Sequence, residues 1–174
     1  MPTTFSFEHT FRAPSVIAIA QAYFEPDHNA LQDAKAELGD RVVVENHETD
    51  ELRQTTWRVT SLRSLPAIAR PFVSGGRLKF LESMSWNRVT NAIEMSVVPE
   101  ILSGRVRIEG SYDLSQIAEG QVRRIYKGTI TAAITLVGGK IERGILETFS
   151  QNMPAMAGCT QSFLDRELTR DRTT

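Results

Sequence analysis

Trp57, Met84, Trp86, Phe149, Met153 and Met156 are the side chains of this chain best suited to binding chemistry. Methionine and aromatic groups are polarisable and adapt to irregular apolar shapes, so a wall built from them takes up a hydrophobic small molecule. A packed core uses the same residue types, and periodicity does not separate a lined cavity from a filled one. The polar candidates are fewer. His9 alternates in step with Phe5, Phe7 and Phe11, which would place it on an apolar face as a cavity acid or base. Glu94 lies between Ile93 and Met95, and alternation assigns it to a wet face; turned inward, it would be a desolvated carboxylate suited to proton transfer. If Tyr126 converged with His9 or Glu94 on a common point, an enzyme would be favoured over a carrier.

Other chemistries find little support. His9, His28 and His47 lack metal-site spacing, and antiparallel pairing of the strands carrying His9 and His47 would leave those two about 10 Å apart. Gly138-Gly139-Lys140 resembles part of a phosphate loop, but Ile141 stands where Ser or Thr is needed and Ile134 where the first glycine belongs. Arg105, Arg107, Arg123 and Arg124 suggest a basic patch. Glu109, Asp113 and Glu119 interrupt it, and the interleaved aromatics of a base-stacking surface are missing, so these arginines read as a solvated outer sheet face. There is no Gly-x-Ser-x-Gly turn, and Cys159, among small residues on the flank of a helical stripe, reads as a packed thiol. No metal or cofactor is implied.

The elements that must position these groups follow from composition and periodicity. The 174 residues are 41% hydrophobic and 24% charged, and 20 basic residues against 21 acidic give a net charge of -1. That balance exerts no long-range pull on nucleic acid or anionic lipid. A single cysteine allows no internal disulfide, and neither a basic-then-apolar leader nor a run of about 20 apolar residues occurs, so a cytoplasmic setting without a membrane span is expected.

Period-2 alternation predicts a strand over 4–12. A short helix follows, with Pro14 in its first turn and Val16, Ile17, Ala20 and Phe24 as its apolar stripe. Pro26 interrupts it. A second short helix, capped by Asp27 or Asn29, is expected through Leu31, Ala34 and Leu38 until Gly39 stops it. Six strands are expected over 41–48, 52–60, 77–86, 92–98, 105–114 and 121–137. Leu78, Phe80, Met84 and Trp86 form one dry face, and Ile130, Ala132, Ile134 and Leu136 another. The segment 64–76, with Pro66 and Pro71, reads as a mobile connection. After Gly138-Gly139, helical spacing over 140–168 predicts a helix about 42 Å long, with Pro154 bending it near Met153. Residues 169–174 read as a frayed polar tail. No repeat or linker divides the chain, so one domain over 1–174 is expected.

A strand, two short helices, six strands and a long helix make an α+β arrangement: a seven-stranded curved antiparallel sheet wrapped around a long C-terminal helix. Two local features, Phe11-Arg12-Ala13-Pro14-Ser15-Val16 and Leu136-Val137-Gly138-Gly139-Lys140-Ile141-Glu142, resemble the helix-grip superfamily that includes the birch-pollen allergen, START lipid-transfer domains and polyketide cyclases. The resemblance covers 5–168 and is closest to a bacterial branch of unknown function. It implies a cavity between sheet and terminal helix that binds a lipid, quinone or polyketide-like molecule, as a carrier or sensor. A cyclase, dehydratase or hydrolase using the same cavity is the alternative. A protein-interaction module with a solid interior and an exposed apolar face is the third reading. The expected partner is an apolar small molecule, with no nucleic acid, and the oligomeric state is open.

Overall fold

Phe5, Phe7, His9 and Phe11 do face one way, on strand β1 (Thr3–Arg12), while Thr4, Ser6, Glu8, Thr10 and Arg12 are exposed on the other. The computed structural model describes residues 1–64, 76–101 and 104–171. The connection expected over 64–76 lies outside the described residues except at its two ends.

After β1 come helices α1 (Val16–Ala22) and α2 (Pro26–Ala36), then β2 (Leu38–Glu48), β3 (Leu52–Ser61), β4 (Lys79–Asn87), β5 (Ile93–Pro99), β6 (Val106–Ala118), β7 (Gln121–Ala132) and the helix α3 (Gly138–Asp171). All seven strands form one antiparallel sheet in the order β1-β7-β6-β5-β4-β3-β2. β2 to β7 are a simple meander, and β1 closes against β7. The strands of His9 and His47 are therefore opposite edges of the sheet and do not pair; His9 pairs with Arg124. α3 crosses the inner face, packed against β1, β7, α1 and α2. Its 34 residues span about 51 Å at 1.5 Å per residue.

Several local expectations need correction. The Ser15 hydroxyl accepts from the Ala18 N–H at 3.3 Å and caps α1, so Pro14 lies ahead of the helix rather than in its first turn. The face of α1 turned to α3 and β6 carries Ile19 and Ala20, and Ile17 is left in solvent. Pro26 starts α2 rather than merely interrupting a helix, because a first-turn residue needs no N–H donor. No side chain caps α2, neither Asp27 nor Asn29. It ends at Glu37, which takes the left-handed conformation (φ 56°), two residues before Gly39. Its buried side is polar: His28, Asn29 and Asp33 point in and Ala34 points out.

The last strand stops at Ala132, five residues earlier than expected, and Leu136 is fully exposed at φ 70°. Glu142 reaches back from α3 to accept the Ala132 N–H at 2.8 Å and the Thr3 hydroxyl at 2.8 Å, which fastens the start of the helix to the sheet. A Cβ at Gly138 would strike the Ala132 carbonyl oxygen, so this turn takes only glycine. α3 runs to Asp171, three residues beyond the expected end of the helix: the Thr169 hydroxyl bonds the Asp165 carbonyl and Arg170 pairs with Glu167, while 172–174 lie outside the described residues. Pro154 sits inside α3 beside Met153 and offers the Ser150 carbonyl no N–H.

Candidate functional site

A cavity of about 350 Å³ lies between the inner face of the sheet, α2 and α3. One wall is apolar. Met84, Met95 and Ile108 reach it from β4, β5 and β6, and Phe149, Met153 and Met156 from α3. Four of the six side chains singled out from the sequence therefore meet here. Trp57 and Trp86 do not line it. Both pack around Phe24, with ring centroids 6.2 and 6.4 Å away, in the buried core.

The other wall is polar, and it holds the residues that sequence reasoning missed. Arg41 makes a bidentate pair with Asp33 (2.7 Å for both bonds) and a 3.0 Å bond to Glu82. This cluster ties α2, β2 and β4 together with all three side chains largely buried. Burial by itself would weaken the hold of Arg41 on its proton, but the hydrogen bonds of Asp33 and the charge of Glu82 outweigh it and raise the pKa above the usual arginine value. Its fork is held by two carboxylates, so the cluster acts as a clamp.

The second polar feature is a tyrosine stack ending on a guanidinium. The rings of Tyr23 and Tyr112 lie 4.9 Å apart and those of Tyr112 and Tyr126 4.6 Å apart. Arg124 lies over Tyr112 at 5.4 Å and over Phe11 at 5.0 Å; it donates to the Tyr23 hydroxyl at 2.7 Å and lies 3.3 Å from His9 Nδ1. Burial, followed by their neighbouring groups, pushes the Tyr112 and Tyr126 hydroxyls above the usual tyrosine pKa, so both remain protonated donors at neutral pH. The Tyr126 hydroxyl donates to Met95 Sδ at 2.9 Å.

Arg124 is expected on the outer face with Arg105 and Arg107. Those two are exposed, but Arg124 is 3% exposed and faces in. The signal is present in the sequence: the parity that turns Val122, Tyr126 and Ile130 inward turns Arg124 inward too, and the parity of Phe80 and Met84 does the same for Glu82.

His28, on α2, is 2% exposed. Its Nε2 lies 3.0 Å from the Thr160 hydroxyl and 3.2 Å from Gln32 Nε2, while its Nδ1 is buried with no partner among the described residues. Burial, then the charges of Arg124 and Arg41, bring its pKa down to about 4. His9 is lowered in the same direction, by burial first and Arg124 second. Both rings are neutral at pH 7. Glu94 is exposed on the outer face, as alternation assigns it, so His9, Glu94 and Tyr126 share no common point. The Cys159 thiol rests 3.6 Å from the Leu31 carbonyl. Among the described residues no three His, Cys, Asp or Glu side chains cluster as metal ligands would, and no helix is long and apolar enough to cross a membrane.

A seven-stranded curved sheet gripping a long C-terminal helix, with a cavity between them, is the helix-grip architecture of START-like proteins. Within that class, the chain belongs to the family described as "Protein of unknown function (DUF2505)", matched over residues 7–164. A crystallised protein of Thermus thermophilus is similar at 14% identity, TM-score 0.64, over 95% of this chain and 99% of its own. The Zhui aromatase/cyclase of Streptomyces sp. R1128 aligns at 12% identity, TM-score 0.60, over 97% and 96%. A START superfamily protein of Mycobacterium smegmatis aligns at 6% identity, TM-score 0.59, over 94% and 97%. At such identities the likeness is one of fold. No curated protein sequence matches the chain.

Proposed function

We propose that this protein binds one small, mostly apolar molecule between sheet and helix, as a carrier or sensor. The observation that carries this reading is the cavity itself: about 350 Å³ of space against a wall of Met84, Phe149, Met153 and Met156. A solid interior, as an interaction module would have, leaves no such space. The volume is that of roughly a dozen waters and sits at the low end of ligand pockets. It suits a one- or two-ring compound better than a two-chain lipid. Burying about 200 Å² of apolar ligand surface at about 25 cal/mol per Å² yields about 5 kcal/mol before ordering costs, enough for binding and release. His9 engaged with Arg124, and Glu94 on the far face, support binding over acid–base catalysis.

The test is titration with the neutral fluorophore N-phenyl-1-naphthylamine. Saturable one-to-one binding is expected, together with its loss in Met153→Arg at an unchanged melting temperature. Absence of saturable binding, or equal binding by a folded Met153→Arg, would defeat the reading.

A further inference from the structure

Three arginines touch the cavity, and they differ in what they are bound to. Arg41 is taken by Asp33 and Glu82. Arg63 pairs with Glu37 at 2.7 Å and reaches Asn152 at 3.5 Å. Arg124 is the most buried of them, and none of the ion pairs among the described residues includes it. Its polar partners are the Tyr23 hydroxyl and His9 Nδ1, both neutral, and its Nε is buried without an acceptor. Three of its five N–H donors thus have no acceptor among the described residues. The aromatic faces of Phe11 and Tyr112 stabilise a cation but do not neutralise it.

A guanidinium without a counter-charge is costly to bury, and folding has already borne that cost here. An anion arriving at Arg124 recovers it. We infer that the cavity's ligand is a carboxylic acid on a small apolar body, its carboxylate seated on Arg124 and its rings or chain against the methionine wall. The planar fork of arginine matches a carboxylate, and the spare Nη N–H donors supply the bonds. The Asp33–Arg41–Glu82 cluster, with two carboxylates to one guanidinium, repels an anion from its end of the cavity and so leaves one seat. His9 and His28, neutral at pH 7, offer no competing positive charge.

The inference rests on the binding role proposed above and is tested apart from it with a matched pair of ligands, 2-naphthoate and neutral 2-acetylnaphthalene, by calorimetric titration. Wild type should bind the acid about 10- to 100-fold more tightly. Arg124→Met should abolish that preference while still binding the ketone, and Arg124→Lys should keep part of it. Equal affinities in wild type would overturn the anion seat and leave the apolar binding role standing. Binding of neither compound would remove both. The wild-type ratio needs no variant, so a poorly folding Arg124→Met does not rescue the idea.

Discussion

Acidification should destabilise this protein through His28 before its carboxylates titrate. The side chain is 2% exposed and wedged edge-on against Tyr23 and Phe163, with ring centroids 5.5 Å away in both cases. Its pKa is held at about 4 in the folded chain against 6.5 when unfolded. Above pH 6.5 neither state binds the proton and there is no effect. Below it the unfolded chain takes up a proton that the folded chain refuses, so stability falls as pH falls, at about 1.4 kcal/mol per pH unit, until the folded pKa is reached. The full loss is about 3 kcal/mol, and about 2 kcal/mol of it is complete by pH 5.0. Against a total of about 5–15 kcal/mol for ordinary domains this is a large share. Urea unfolding at pH 7.5 and 5.0, on wild type and His28→Gln, isolates it. The glutamine amide cannot titrate and reaches toward Thr160, so any constant cost of the substitution cancels in the difference between the two pH values. Glu142 is held below the usual carboxylate range: burial opposes this, but its bonds from the Ala132 N–H and the Thr3 hydroxyl prevail. Its contribution is present above pH 4.5 and is lost only on further acidification, so it is intact at pH 5.0. His9 acts in the same direction in both proteins. Wild type should lose about 2 kcal/mol more than the variant on acidification; an equal loss would refute the reasoning.

The clamp and the core allow two further predictions. Asp33→Asn removes the bidentate partner of Arg41 and should cost about 3–5 kcal/mol in urea unfolding, whereas Glu82→Gln leaves that fork intact and should cost about 1.5–3 kcal/mol; a larger cost for Glu82→Gln would reverse the order of the two bonds. Trp57→Leu should lower stability by about 3 kcal/mol yet change N-phenyl-1-naphthylamine affinity by less than about twofold, because Trp57 packs on Phe24 beside the cavity rather than in its wall.

Strand parity carries most of the architecture. The alternation in β1 and β4 is readable because each strand has one wet face, and the long spacing from Ile141 to Phe163 announces α3. Parity also contains the polar wall: Glu82 lies two residues from Phe80 and from Met84, and Arg124 two from Val122 and from Tyr126. Both escape notice because a charge on an apolar face reads as an interruption. The inward face of α2 is not readable in the same way. His28, Asn29 and Asp33 are buried because Thr160 and Arg41 meet two of them, and those partners lie far off in sequence or across a turn. Hydrophobic periodicity registers apolar faces only, so it selects Leu31 and Ala34. The pairing of β1 with β7 is likewise a property of sheet closure, which no local pattern encodes.

The departures from alternation are the informative positions. Local rules are broken in natural sequences mostly where function or a paired compensation requires it. Here Glu82, Arg124, His28 and Asp33 all break the apolar pattern, and all four line one cavity. Two of them are compensated within the protein: Asp33 and Glu82 pair with Arg41, and that cluster needs no ligand to explain it. His28 is neutral and half satisfied. Among the described residues, Arg124 alone of the four is a full charge with no opposite charge in contact. An apolar residue at that position, on a strand already carrying Val122, Tyr126 and Ile130 inward, would pack more cheaply with the aromatic rings around it. A cation kept there against that alternative makes sense if its counter-charge arrives from outside, and the Met84, Met153 and Phe149 wall then provides for whatever apolar body brings it.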